Sequence, residues 1–335
     1  MRLGIIGSGM IVNDFLSNCK KIEGIEIVAI TGTTSGIEKL KNIAEKYNIP
    51  EYYENIQDML SLDYIDTVYI AVPNHLHFIN CKLSLENNKH VICEKPFTSN
   101  LNELKELEVI ASHKNLFLLE AVTTHYLPNT IELKKRLGEI GDIKIINMNY
   151  SQYSSRYNSF KEGIIQPAFD PSKSGGALMD LNIYNINLMV NLFGEPTEVK
   201  YYANITKDID TSGVLILNYE NFTAVCIGAK DCKAPTNTTI QGDKGFISIP
   251  TPANVLMGFK VEEAIEKGFV ANDRTGVLDF NNNQHRMYYE FVEFERIIRE
   301  KDYKKAKEIL EISFITMDIQ TKARLSANIV FDADK

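Results

Sequence analysis

Three short stretches of this chain put reactive side chains where chemistry needs them. Lys95 closes His90-Val91-Ile92-Cys93-Glu94-Lys95-Pro96. This apolar, β-prone run stops at Pro96, because proline has no N–H to give a sheet ladder. A lysine at the carboxyl end of a strand sits where open α/β sheets hold ligands. It can orient a substrate, lower a neighbour's pKa or act as an acid itself. Asp180 and Tyr184 stand four apart in Gly175-Gly176-Ala177-Leu178-Met179-Asp180-Leu181-Asn182-Ile183-Tyr184, so a helix there puts both on one face. Gly7-Ser8-Gly9 follows the apolar run Leu3 to Ile6 and precedes Ile11, Val12, Phe15, Leu16 and Cys19 at helical spacing. Strand, Gly-x-Gly turn and helix form the setting of a dinucleotide site. Gly7 permits the tight turn, Gly9 lets the backbone approach a pyrophosphate, and the helix start offers N–H groups and a positive dipole end. Val12 fills a third position that is usually Gly or Ala, and should push the helix slightly outward.

The elements that must position these residues are legible as periodicity. A second strand, 26–31, runs into Gly32-Thr33-Thr34-Ser35. No carboxylate stands there to read a ribose 2′-hydroxyl or repel a 2′-phosphate, which favours NADP over NAD, although a polar turn tolerates either. Helices are expected at 36–47, 55–60 and 100–115, and strands at 67–72 and 116–122. The strand at 67–72 ends in Pro73-Asn74-His75-Leu76-His77. Asn74 is expected to cap the next helix and His77 to touch cofactor. Strands alternating with helices give a doubly wound parallel Rossmann sheet over residues 1–121, with three strand ends at one edge. Beyond it, strands at 143–153, 197–206, 213–219, 223–230, 237–241 and 246–250 read as a large, mostly antiparallel sheet in an α+β domain over 122–335. Gly242 to Gly245 is a hairpin turn. Helices are expected at 128–137, 177–193, 285–299 and 304–327, a loop with the makings of a lid at 154–174, and a frayed tail at 331–335.

Composition narrows the class. The 335 residues carry a net charge of −8 without a basic block, which argues against nucleic acid or anionic membrane as partner. No apolar run reaches the length of a membrane helix, and the N-terminus reads as a strand rather than a signal peptide. Five scattered cysteines without a C-x-x-C pair read as reduced thiols in a cytoplasmic protein. The six histidines are dispersed, so no metal site is expected.

Taken together, Gly7-Ser8-Gly9, Pro73-Asn74-His75-Leu76-His77, Glu94-Lys95-Pro96, Glu120-Ala121 and the run from Gly175 to Tyr184 resemble the glucose–fructose oxidoreductase and inositol dehydrogenase (Gfo/Idh/MocA) family over nearly the whole chain. Tyr184 in place of that family's usual histidine is similar to the subgroup of dimeric dihydrodiol dehydrogenases. The resemblance implies NAD(P)-dependent hydride transfer to or from a sugar, polyol or diol carbon. It also implies a homodimer or homotetramer built through the second sheet. The cofactor set becomes Gly7, Gly9, Met10, Ile11, Thr33, Thr34, Pro73, Asn74, His77, Glu94 and Lys95, and the catalytic set Lys95, Asp180 and Tyr184. The chain departs from the family pattern at Asn182, Asn187 and His125, where relatives carry Gly, Asp and Arg. Asn182 is expected beside the substrate cleft.

Hydride transfer from an alcohol carbon leaves a proton to remove. Tyr184 is the residue for it. Bringing a phenol from about 10 to about 7 takes roughly 4 kcal/mol. A Lys⁺ at ~4 Å in an effective dielectric of ~20 supplies about that much before desolvation is subtracted. Asp180 would then fix the lysine's orientation. The alternative gives the proton to Lys95 and leaves Tyr184 to bind substrate. A second class of function, a catalytically silent nucleotide sensor on the same fold, is motivated by Val12 and Asn182.

Overall fold

The computed structural model describes residues 1–19, 22–32, 36–263, 272–273 and 275–335. They form two compact units: Met1–Ala121 with Met287–Met317, and Val122–Arg286 with Asp318–Lys335. A single cut after Ala121 would give residues 287–317 to the second domain, but they pack with the first.

In the first unit, β1 (Arg2–Ile6), β2 (Glu26–Thr31), β3 (Glu51–Tyr53), β4 (Thr67–Ile70), β5 (His90–Glu94) and β6 (Leu118–Ala121) form one parallel sheet in the order β3-β2-β1-β4-β5-β6. The order reverses between β1 and β4, and ligands of such sheets bind outside the strand ends at that switch. The strands are apolar runs because helices cover both faces: Leu3, Ile5, Ile6, Val68, Ile70, Val91 and Ile92 are fully buried. Helices Met10–Asn18, Ile37–Tyr47, His77–Glu86 and Leu101–Lys114 supply that cover. At the last of these, the Asn100 side chain accepts from Glu103 N–H, while Glu103 accepts from Ser99 N–H. These paired bonds satisfy two donors at the helix start. Helix Tyr288–Glu300 returns to this unit, where Phe291 stacks on Phe15 at 4.2 Å. The three-residue β3, half-exposed and polar, carries no periodicity and was not expected. Asn74 does not cap helix His77–Glu86; it opens a 3₁₀ turn, Asn74–Leu76, and that helix has no side-chain cap.

The second unit holds β7 (Ile143–Ser151), β8 (Glu198–Thr206), β9 (Ile209–Asn218), β10 (Thr223–Ala229), β11 (Asn237–Gly242), β12 (Gly245–Ile249), β13 (Lys260–Glu263) and β14 (Asn272–Asp273), in the order β14-β13-β12-β11-β7-β10-β9-β8. Every neighbouring pair is antiparallel except β7 with β10. Alternation assigns the faces: Ile146, Met148, Tyr150, Leu215, Leu217, Ala224 and Cys226 are buried, while Ile145 and Tyr202 point outward. β13 and β14 lie outside the expected strands, and β9 begins four residues earlier than expected, through Ile209-Asp210-Thr211-Ser212.

The segment 154–174 is not a bare loop. Helix Tyr157–Lys161 and two 3₁₀ turns fold it. Phe160 and Phe169 stack at 4.8 Å and are buried, so it packs as a small core of its own rather than as an open flap. The tail is not frayed either. Phe331 is buried, and Asp334 pairs with the buried guanidinium of Arg324. Among the described residues, no helix is long and apolar enough to cross a membrane.

Candidate active site

β1 delivers the chain into Gly7 at φ +137°, where a Cβ would lie 2.2 Å from the carbonyl oxygen of Ala71. Only glycine fits there. Gly9 differs: its φ of −78° suits any residue, and a Cβ there would meet nothing within 4 Å. The protein itself gives no reason for glycine at this position; a bound group would. Helix Met10–Asn18 starts at Gly9 with no side-chain cap and no acid in its first turn, which leaves its dipole end suited to an anion. Val12, in the third slot, is fully buried. These features fit the pyrophosphate of a dinucleotide.

The ends of β2, β3 and β4 frame a groove of about 670 Å³ lined by Gly32, Glu54, Gln57, Leu76, Ile79 and Asn80, among others. It lies on the edge where such sheets hold the rest of a nucleotide. Gly32 and Leu76 belong to stretches the sequence pointed to; Glu54, Gln57, Ile79 and Asn80 do not, since they come from the turn after β3 and from the helices Ile56–Leu60 and His77–Glu86. Thr33 and Thr34 fall outside the described residues.

Around β5, Tyr69 donates to Glu94 at 2.7 Å from the neighbouring strand. Lys95 is half-buried and joined to Pro96 by a cis peptide bond. Pro73 is exposed at the turn after β4. His77, expected as a cofactor contact, is 1 % exposed. Its Nδ1 lies 2.7 Å from the Pro96 carbonyl oxygen and its Nε2 2.9 Å from that of Val72. Burial pushes its pKa down to about 4, against the pull of both carbonyls, so the ring is neutral at pH 7. A neutral ring has one N–H, which suits the shorter contact. Both nitrogens are thus turned to backbone, and His77 ties the turn after β4 to the turn after β5 instead of reaching out. Beneath Lys95, Glu120 accepts from Phe97 N–H at 3.1 Å, and burial raises its carboxyl to about 7. The sequence showed it only as part of a motif; its burial is what perturbs it.

In the second unit the expected helix at 177–193 has two parts: a π-helical turn, Leu178–Asn182, and an α-helix, Ile183–Phe193. Such turns recur at functional sites because they re-aim side chains. Asp210 on β9 anchors the start. It is buried, accepts from Leu178 N–H and Tyr201 O–H at 2.7 Å each, and has its carboxyl raised by burial to about 6. Gly176, at φ +107°, admits it: a Cβ there would lie 2.1 Å from the Asp210 carboxylate. Asp180 accepts an ion-pair hydrogen bond from Lys230 at 2.8 Å. Tyr184 is 9 % exposed, with the Tyr150 ring 5.9 Å away.

Asn182 does not face a cleft. It is fully buried, donates to the Cys226 carbonyl at 3.0 Å, accepts from Asn185 at 2.9 Å, and packs on Gly228 of β10. Asn187 and His125, the other departures from the family pattern, meet each other at 2.9 Å.

Residues 1–121 match the oxidoreductase family with an NAD-binding Rossmann fold, and residues 134–248 match the GFO/IDH/MocA C-terminal domain. The chain is 35% identical to scyllo-inositol 2-dehydrogenase (NADP(+)) of Bacillus subtilis, over all of this chain and 99% of that one. It is 27% identical to trans-1,2-dihydrobenzene-1,2-diol dehydrogenase of Xenopus tropicalis, over 85% of this chain and 86% of that one. A 3-ketoreductase from Actinomadura kijaniata, solved with NADP and TDP-benzene, shares the fold with a TM-score of 0.85 and 20% identity, covering 97% of each chain. Both halves matched and a relative aligned from end to end, the protein belongs to the GFO/IDH/MocA family of NAD(P)-dependent oxidoreductases.

Proposed function

We propose that the protein is an NADP-preferring dehydrogenase acting on a CH–OH carbon of a polyol, sugar or diol, with Lys95, Asp180 and Tyr184 handling the proton. The observation that carries the cofactor half is Gly9, a glycine that the fold does not require at an uncapped helix start. The inositol and dihydrodiol dehydrogenases among its relatives support the substrate class. When bound, the nicotinamide accepts or supplies the hydride. Tyr184 takes the hydroxyl proton in oxidation and returns it in reduction, Lys95 supplies positive charge where an alkoxide develops, and Asp180 holds the charge balance of the set. The silent-sensor reading loses one of its two motives, because Asn182 is spent on β10.

Fluorescence titration with NADPH and with NADH tests the cofactor. Oxidation of scyllo-inositol, D-xylose and a trans-dihydrodiol with NADP⁺ then tests the chemistry. Lys95→Ala and Tyr184→Phe are expected to lower turnover by about 10²-fold or more while NADPH binding survives. Turnover unchanged in both variants would sink the site assignment.

The outward face of the second sheet, with Ile145 at 51 % and Tyr202 at 62 % exposure, supports a homo-oligomer through that face. Sedimentation of Tyr202→Lys, compared with the parent, tests it. Five free cysteines, four of them buried, support a cytoplasmic setting.

A further inference from the structure

Lys230 closes β10 at the edge of the π-helical turn. It is 2 % exposed, yet it carries an ammonium group. It donates to the Ala168 carbonyl at 2.6 Å and to Asp180 Oδ2 at 2.8 Å, and it lies 4.5 Å from the centre of the Phe169 ring. The pair is lopsided: the cation is inside, while the Asp180 side chain is 35 % exposed. A buried ammonium costs desolvation that an apolar side chain would avoid, so an ion pair of this kind is a poor device for stability alone. What it does provide is a fixed direction. One carboxylate oxygen is held by a rigid strand end, and the rest of the carboxylate is set relative to Tyr184 one turn on.

We propose that Lys230 is a positioning residue for the reaction. Its buried cation fixes and charges Asp180, and through Ala168 and Phe169 it makes the segment before the catalytic helix part of the same rigid assembly. The proposal rests on the reading of Asp180 and Tyr184 as proton-handling residues. Among the described residues, Asp210, buried under the same helix start, feels the Lys230 charge, and Tyr184 stands four positions on from Asp180 in the sequence.

Two measurements test it. The first needs no substrate: carbon NMR of aspartate-labelled protein, with Asp180 assigned by its loss in Asp180→Asn. In Lys230→Gln, which keeps a donor for Ala168 but no charge, the Asp180 titration midpoint is expected to rise by about one pH unit or more. A midpoint that stays put overturns the proposal. The second is kinetic, with the panel alcohol the parent oxidises fastest. Lys230→Gln is expected to lower kcat about tenfold or more with KM little changed, Lys230→Arg to restore most of it, and Lys230→Gln to have less than a twofold further effect in Asp180→Asn. Equal losses from Lys230→Gln in both backgrounds would mark a merely structural staple and overturn the proposal. Failure of the site reading looks different: Asp180→Asn itself would then leave kcat intact, and the proposal would fall with it.

Discussion

Gly7 and Ala71 approach so closely that a Cβ on Gly7 would lie 2.2 Å from the Ala71 carbonyl oxygen. The obstacle is backbone, and the φ of +137° adds strain for any other residue. Gly7→Ala is therefore expected to lower unfolding free energy by about 3 kcal/mol or more. Gly9→Ala meets no atom and is expected to cost under about 1 kcal/mol. Yet it puts a methyl where a pyrophosphate would press, so NADPH affinity should fall at least tenfold. Urea melts and NADPH titrations of the two variants check both halves. A Gly9→Ala protein that binds as tightly as its parent contradicts the phosphate reading.

Two buried acids give stability a pH dependence of definite sign. Burial raises Glu120 from 4.5 to about 7 and Asp210 from 3.8 to about 6. Between each pair of values the folded protein holds a proton that the unfolded chain has lost. Stability from these groups is full at the low end and is lost as pH rises through the folded value, by up to about 3 kcal/mol each. Glu120→Gln should flatten the fall up to pH 7, and Asp210→Asn the fall up to pH 6. Urea midpoints of parent and variants across pH 5 to 8 check this; parallel curves would contradict it.

Asn182 belongs to the core of its unit. Asn182→Gly restores the residue that relatives carry, but removes two hydrogen bonds and adds backbone freedom. It is expected to destabilise by about 2 kcal/mol with KM unchanged. A changed KM at parental stability would return Asn182 to the substrate cleft.

Arg324 is 1 % exposed, with its guanidinium 4.1 Å from the centre of the Phe331 ring and 2.7 Å from Asp334. Removing one partner of a buried pair leaves a charge uncompensated. Asp334→Ala is therefore expected to cost about 3 kcal/mol, although Asp334 is the penultimate residue of the sequence. A melting midpoint equal to the parent's would show the tail to be dispensable.

The sequence made the first unit legible because parallel strands are buried on both faces and read as apolar runs between glycine and proline stops. Its ligand edge followed from Gly7, Pro73 and Pro96. The second unit was legible only where strands alternate. The opening of β9 is polar because Asp210 accepts from Leu178 N–H at the start of the π-helical turn, so it did not read as strand. β13 and β14 are short. Lys230 stayed hidden because its partner is fifty positions away and no spacing links them. The return of residues 287–317 to the first unit was equally invisible, since an apolar helix stripe does not say which core it enters.

The one parallel pairing in the second sheet also bears on how that sheet is made. β7 lies between β10 and β11, and both are synthesised after a long stretch that includes helix Ile183–Phe193 and two further strands. Until Thr223 to Ala229 have left the ribosome, β7 has neither neighbour, and its Ile146, Met148 and Tyr150 have no sheet to join. Bare edges of this kind invite pairing with other chains. The growing chain is therefore most exposed to misassembly in that interval, and a pause in translation just before β10 would lengthen it.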